Sequence, residues 1–185
     1  PAGNAYNNAT YRQVTINELN FSMSPTGATF EGEPAINAWK EADPAVTSTF
    51  ADVPGEGRFH VAAKASDNGD GTYRYEYAIF NLNSHRSGGS FSVPIPSGAS
   101  VSNVGFHDVD YHSGEPYDNT DWTISTDGGA VTWSSPETFA QNENSNALRW
   151  GTMYNFWFDA DAAPEMGDVT LGLFRPGSPA DISIS

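Results

Sequence analysis

Apolar and polar residues alternate with a period of two along most of this chain. In Thr10 to Ile16 the alternation comes with Thr, Val and Tyr, which suits a strand. Further on, Phe59, Val61 and Ala63 alternate with Arg58, His60 and Ala62. After the run DNGDG (Asp67 to Gly71), Tyr73, Tyr75, Tyr77 and Ile79 fall on one face. Successive side chains of a strand point to opposite sides, so each of these segments reads as extended chain with one buried face. Gly and Asn/Asp in DNGDG supply the positive φ angles of a tight hairpin turn. The same run resembles a calcium loop, but aromatic strands on both sides favour a plain turn. In the strand after it, Ala78, Phe80 and Leu82 make the second face apolar as well, as expected of a central strand.

Other segments are shorter or interrupted. Phe21 to Phe30 is broken by Pro25 and Gly27 and reads as a loose hairpin. Gly89 to Pro96 turns Phe91, Val93 and Ile95 inward, and its prolines predict an edge strand because proline cannot donate to a ladder. Trp122 to Ile124, Val131 to Trp133, Ala147 to Trp150, Tyr154 to Asp159, Val169 to Phe174 and Ile182 to Ser185 complete the expected strands. One helix is expected over Glu33 to Asp43: Pro34 suits a first helical position, Ile36 and Trp39 share a face, and Pro44 ends it. About ten short strands with frequent turns and one helix predict an all-β chain, a single antiparallel β-sandwich over residues 11–185. Residues 1–10, Asn- and Ala-rich and without period, are expected to form an extended N-terminal arm or linker end.

Composition narrows the classes of function. The chain has 185 residues, 23 acidic against 8 basic, for a net charge of −15. Such a surface repels phosphate backbones, so no nucleic acid is expected as partner. Without cysteine there is neither a disulfide nor thiolate chemistry. No apolar run is long enough for a membrane span. A start at Pro1 rather than Met suggests a processed chain, and Asn8 and Asn20 open sequons for glycosylation.

Ionisable residues concentrate in Val101 to Asp121, which is expected to be a polar loop. Asp108 and Asp110 are alternate residues of an extended stretch, Gly114 permits a turn, and Glu115, Asp118 or Asp121 could return. Calcium takes six to eight oxygens, so Asp108, Asp110, Glu115 and Asp118 are the candidate metal ligands. The pattern is no EF-hand, since His112 stands where an oxygen ligand belongs. A transition-metal site from His107, His112 and Asp110 is weaker, because the spacing fits no familiar ligand set. Acid/base hydrolysis by Glu115 and Asp118 is a third reading. In the plainest reading the histidines hydrogen-bond across the loop and the carboxylates face water.

Four blocks, YRYEYAIFNLNSHRSGGSFSVPIPSG, VGFHDVDYHSGEPYDNTDW, NALRWGTMYNFWFDA and VTLGLFRPG, resemble a family of uncharacterised secreted bacterial proteins. There they recur in this order near the C-terminal end of larger exported chains. The resemblance covers most of Ala35 to Gly177. It implies a secreted, extracellular or cell-surface location within a larger protein, and carries over no activity, cofactor or catalytic residue.

The function expected is therefore a non-catalytic extracellular domain, a structural, assembly or surface-binding module. Its partners would be further copies of itself or other extracellular proteins, or carbohydrate. A strand-length arm extending from the body would favour assembly. Solvent-facing indoles would favour sugar binding, although Trp122, Trp133, Trp150 and Trp157 are equally good core residues.

Overall fold

A computed structural model describes residues 5–185, so the first part of the expected N-terminal arm lies outside the described residues. In chain order its elements are β1 (Thr10–Ile16), β2 (Met23–Glu31), α1 (Asn37–Ala42), β3 (Thr47–Val53), β4 (Gly57–Asp67), β5 (Tyr73–Asn81), β6 (Gly88–Pro94), β7 (Val101–His107), β8 (Thr123–Ser125), β9 (Ala130–Ser134), β10 (Met153–Ala160), β11 (Val169–Leu173) and β12 (Asp181–Ile184). Two five-stranded sheets, β3-β4-β5-β10-β7 and β12-β11-β6-β9-β8, pack face to face, and β1 and β2 pair with each other as a separate ribbon. Every pairing is antiparallel. The chain is an all-β sandwich, as the alternation predicts.

The core is where the two alternating faces meet. Phe59 and Val61 of β4, Ile79 of β5, and Phe156 and Phe158 of β10 face Phe91 of β6, Trp133 of β9 and Leu171 of β11. Phe91 lies 4.9 Å from Phe156 and Trp133 lies 5.3 Å from it, ring centre to ring centre, so aromatic contacts join the sheets. The Trp133 Nε1–H also crosses between the layers, donating to the Gly105 carbonyl of β7 at 3.1 Å. Strand β5 is central, and its second apolar face is accounted for: Ala78 and Phe80 join Ala62, Val46, Ile36 and Trp39 in a small cluster under α1.

Several expectations need correction. The helix is shorter than Glu33 to Asp43, because the chain first makes a turn, with the Pro34 carbonyl accepting from Asn37 N–H at 3.0 Å. It ends at Ala42, with Asp43 already extended ahead of Pro44. Phe21 to Phe30 is no hairpin by itself; residues 23–31 form one strand whose partner is β1.

Strand β6 is the middle strand of its sheet rather than an edge. Ile95 N–H donates towards β9, to Gly129 O at 2.8 Å, so the ring nitrogen of Pro94 points the other way, towards β11. There the pairing has already stopped at Thr170↔Ser92, and no ladder bond is lost. Ala147 to Trp150 forms only a single bridge, Leu148 to Gly88. Residues 101–107, expected as loop, are edge strand β7. Among them Val101, Val104 and Phe106 pack on the core, while Asn103 at φ +49° interrupts the regular alternation.

Candidate functional site

The 107–121 segment is tied to the core by one buried side chain, Asn146. Its Nδ2 donates to the Asp108 carboxylate and, at 3.0 Å, to Thr120 O. Its Oδ1 accepts from the Tyr154 hydroxyl at 2.7 Å, and its carbonyl accepts from Trp122 Nε1 at 2.9 Å. Burial pushes the Asp108 carboxyl above the usual carboxylate range, against the lowering effect of the Asn146 hydrogen bond.

Asp118 is exposed and turns back on its own loop, its Oδ1 accepting from Thr120 N–H at 2.7 Å and from the Thr120 hydroxyl at 2.6 Å. Those bonds hold its carboxyl below the ordinary range. Asp110 and Glu115 are exposed. Among the described residues no three His, Asp or Glu side chains converge as metal ligands, so Asp108, Asp110, Glu115 and Asp118 are not brought together. His107 ends β7, whereas His112 packs edge-on against Tyr117. Burial, with Arg149 nearby, holds the imidazole of His112 below its usual pKa.

Arg149 clamps the same loop from beneath. Its guanidinium lies 4.2 Å from the Tyr117 ring centre and 4.8 Å from that of Phe174. Its Nη2 donates to Glu143 O at 3.0 Å and to Ser145 O at 2.7 Å. Loop 107–121 is thus held by an amide hub and a cation between two rings. Neither Asn146 nor Arg149 was legible as a loop anchor, since both lie far from it in sequence.

A different element carries the exposed apolar surface. The two strands of the β1–β2 ribbon are joined near its base by Tyr11 and Phe30, which stack at 4.7 Å. The chain leading into it is pinned by Asn83 Nδ2 donating to Ala5 O at 2.7 Å and by Arg58 lying 4.0 Å from the Tyr6 ring. At the far end the chain reverses through residues 17–22. Phe21 N–H donates to Asn17 O at 2.7 Å, and Asn17 Oδ1 and Asn20 Oδ1 each accept a backbone N–H two residues on. This turn holds Phe21 at φ +55° and aims apolar side chains outward. Leu19 is 94%, Phe21 81% and Met23 67% exposed, and Ile16, paired with Met23, adds to the same tip. Monomeric proteins seldom leave such groups clustered in water.

The sandwich also has a groove of about 570 Å³ beside the end strands β3 and β12, apolar over the larger part of its lining but including Lys64 and Glu165. Ala45, Val61, Ala63, Tyr75, Met166 and Ile184 line it. The loose hairpin expected from Phe21 to Phe30 places Phe21 in it and leaves Leu19 out; the exposure of both follows from the ribbon standing off the body, which periodicity does not reveal.

No protein-family model matches the chain, and no curated protein matches it. Among the described residues no helix is long and apolar enough to cross a membrane.

Proposed function

We propose that the chain is a non-catalytic extracellular assembly module whose β1–β2 ribbon docks into the groove beside β3 and β12 of a second copy. The observation that carries this reading is the tip of the β1–β2 ribbon, where Leu19, Phe21 and Met23 stand exposed together within five residues. A second copy is the chosen occupant because each molecule has both halves of the contact, an apolar knob and a largely apolar groove. The groove lies beside β3 and β12, each the end strand of its sheet, so strand addition is a route by which the ribbon gains hydrogen bonds as well as side chains. Knob and groove are different surfaces, which makes the contact head-to-tail and able to propagate into a string of subunits.

Burying a Leu, Phe or Met side chain contributes about 1.5–3 kcal/mol each. Association costs roughly 4–15 kcal/mol in lost freedom, so the contact is weak and depends on concentration. The resemblance of the sequence blocks to secreted proteins supports the extracellular setting. Sedimentation velocity over a concentration series tests the proposal: the wild type gains mass with concentration, and Leu19→Asp/Phe21→Asp stays monomeric at an unchanged melting temperature. A wild type that remains monomeric throughout contradicts it.

A further inference from the structure

The face of the first sheet turned away from the core carries a second, unrelated feature. Two adjacent rows of side chains cross it. One runs Lys64, Glu76, Trp157, Gly105 over β4, β5, β10 and β7, and the next runs Ala62, Ala78, Asn155, His107. Helix α1 covers the alanine end, and Trp39 stands at the helix border. Between helix and strands lies a cleft of about 470 Å³, lined by Trp39, Lys64, Glu76, His107, Asn155 and Trp157. That is within the range of small-molecule sites, about 300–1,000 Å³.

The indole of Trp157 is laid flat by its neighbour. A Cβ on Gly105 would come within 2.1 Å of the ring, so only glycine there lets the indole rest against β7. The ring thereby offers a broad, pre-set face instead of standing on edge. Around it the polar groups are mixed: Lys64 donates, Glu76 accepts, and Asn155 and His107 can do both. Among the described residues, the side chains of Glu76, His107 and Asn155 form no hydrogen bond to protein, so their capacity is open to a ligand.

Charge decides the class. A cation is disfavoured because the Arg74 guanidinium already lies 5.5 Å from the Trp157 ring centre and Lys64 lines the cleft. An anion is disfavoured by Glu76, by Asp43 paired to Lys64 at 2.6 Å, and by the net charge of −15. A ligand with flat apolar faces and many neutral donor–acceptor groups remains. We infer that this cleft binds a neutral polysaccharide, stacking a pyranose ring on Trp157 against Trp39 and hydrogen-bonding its hydroxyls through Asn155, Glu76 and His107. The inference does not depend on the ribbon docking proposed above.

Native gels cast with hydroxyethylcellulose, laminarin, xylan or galactomannan test it, with alginate and chitosan as charged controls. At least one neutral polymer retards the wild type. Trp157→Ala weakens that retardation by about tenfold or more, as loss of an aromatic anchor does. Asn155→Ala, which removes no side-chain hydrogen bond among the described residues, weakens it too and serves if Trp157→Ala fails to fold. Trp150→Ala, an exposed indole outside the cleft, leaves it unchanged. No retardation by any neutral polymer overturns the inference. So does retardation by the charged polymers alone, retention of full binding in both cleft variants, or loss of binding in Trp150→Ala.

Discussion

Trp157 lies flat over Gly105 on the neighbouring strand, with its Nε1 and Cζ2 each 2.3 Å from where a methyl group at position 105 would be. The relationship makes the two residues one unit. Gly105→Ala forces the indole off the sheet and costs about 1–3 kcal/mol, the range for overpacking a well-filled site. Denaturant melts in a double-mutant cycle check this: in a Trp157→Ala background the cost of Gly105→Ala largely disappears. An equal cost in both backgrounds contradicts it.

Asn146 is expected to matter more for stability than any carboxylate of the loop it holds. Asn146→Ala removes the donor to half-buried Asp108 and to Thr120, and the acceptor for buried Tyr154, whose hydroxyl keeps only Ala147 O. Leaving buried polar groups unpaired costs about 1–3 kcal/mol each. Chemical denaturation should show a loss of about 3 kcal/mol, while Asp110→Ala and Glu115→Ala, both exposed, stay within about 0.5 kcal/mol of the wild type.

Asp108 sets a pH dependence opposite to that of most of its kind. Its folded-state pKa is raised, mainly by burial. The folded state therefore takes up the proton more readily than the unfolded chain. The stability linked to this group is fully present below the unfolded carboxylate pKa and is lost as pH rises through the higher folded value. Asp52, held low by its hydrogen bond to Arg58, works the other way and loses stability as pH falls through its lowered pKa. Between pH 7 and 4 the lowered pKa of His112 and that of Asp52 work against stability in both proteins, so the contribution of Asp108 is read as a difference: melting curves should show acidification favouring the wild type relative to Asp108→Asn.

How much of this could be read from the chain depends on how local each feature is. Period-two alternation locates strands because it reports which face is buried, and it marks β5 as central from Ala78 and Phe80. Strand order is not local. Pro94 reads as an edge signal, yet β6 is central because β11 stops before the proline. The loop carboxylates stand out by charge, but their fate is set by Asn146, 38 residues beyond Asp108. Trp157 reads as core by residue type, and only its pairing with Gly105 reveals a platform on the outer face.

Salt should strengthen self-association. Two copies carrying −15 each repel at low ionic strength, whereas contact between the ribbon tip and the groove is apolar and survives screening. Light scattering between about 10 mM and 1 M NaCl, a range that shortens the Debye length from roughly 30 to 3 Å, should show the average mass rising with salt. A mass that falls with salt would mean the contact is ionic and not the one described.

The docking of ribbon tip into groove is tested most directly by site-specific cross-linking, which a chain without cysteine allows. Leu19→Cys in one copy and Met166→Cys in another put a thiol on each side of the proposed contact. Mixed under mild oxidation, they are predicted to form a mixed disulfide faster than Leu19→Cys forms with Ser113→Cys, an exposed position in the 107–121 loop away from the groove. Equal rates for the two mixtures would contradict the account.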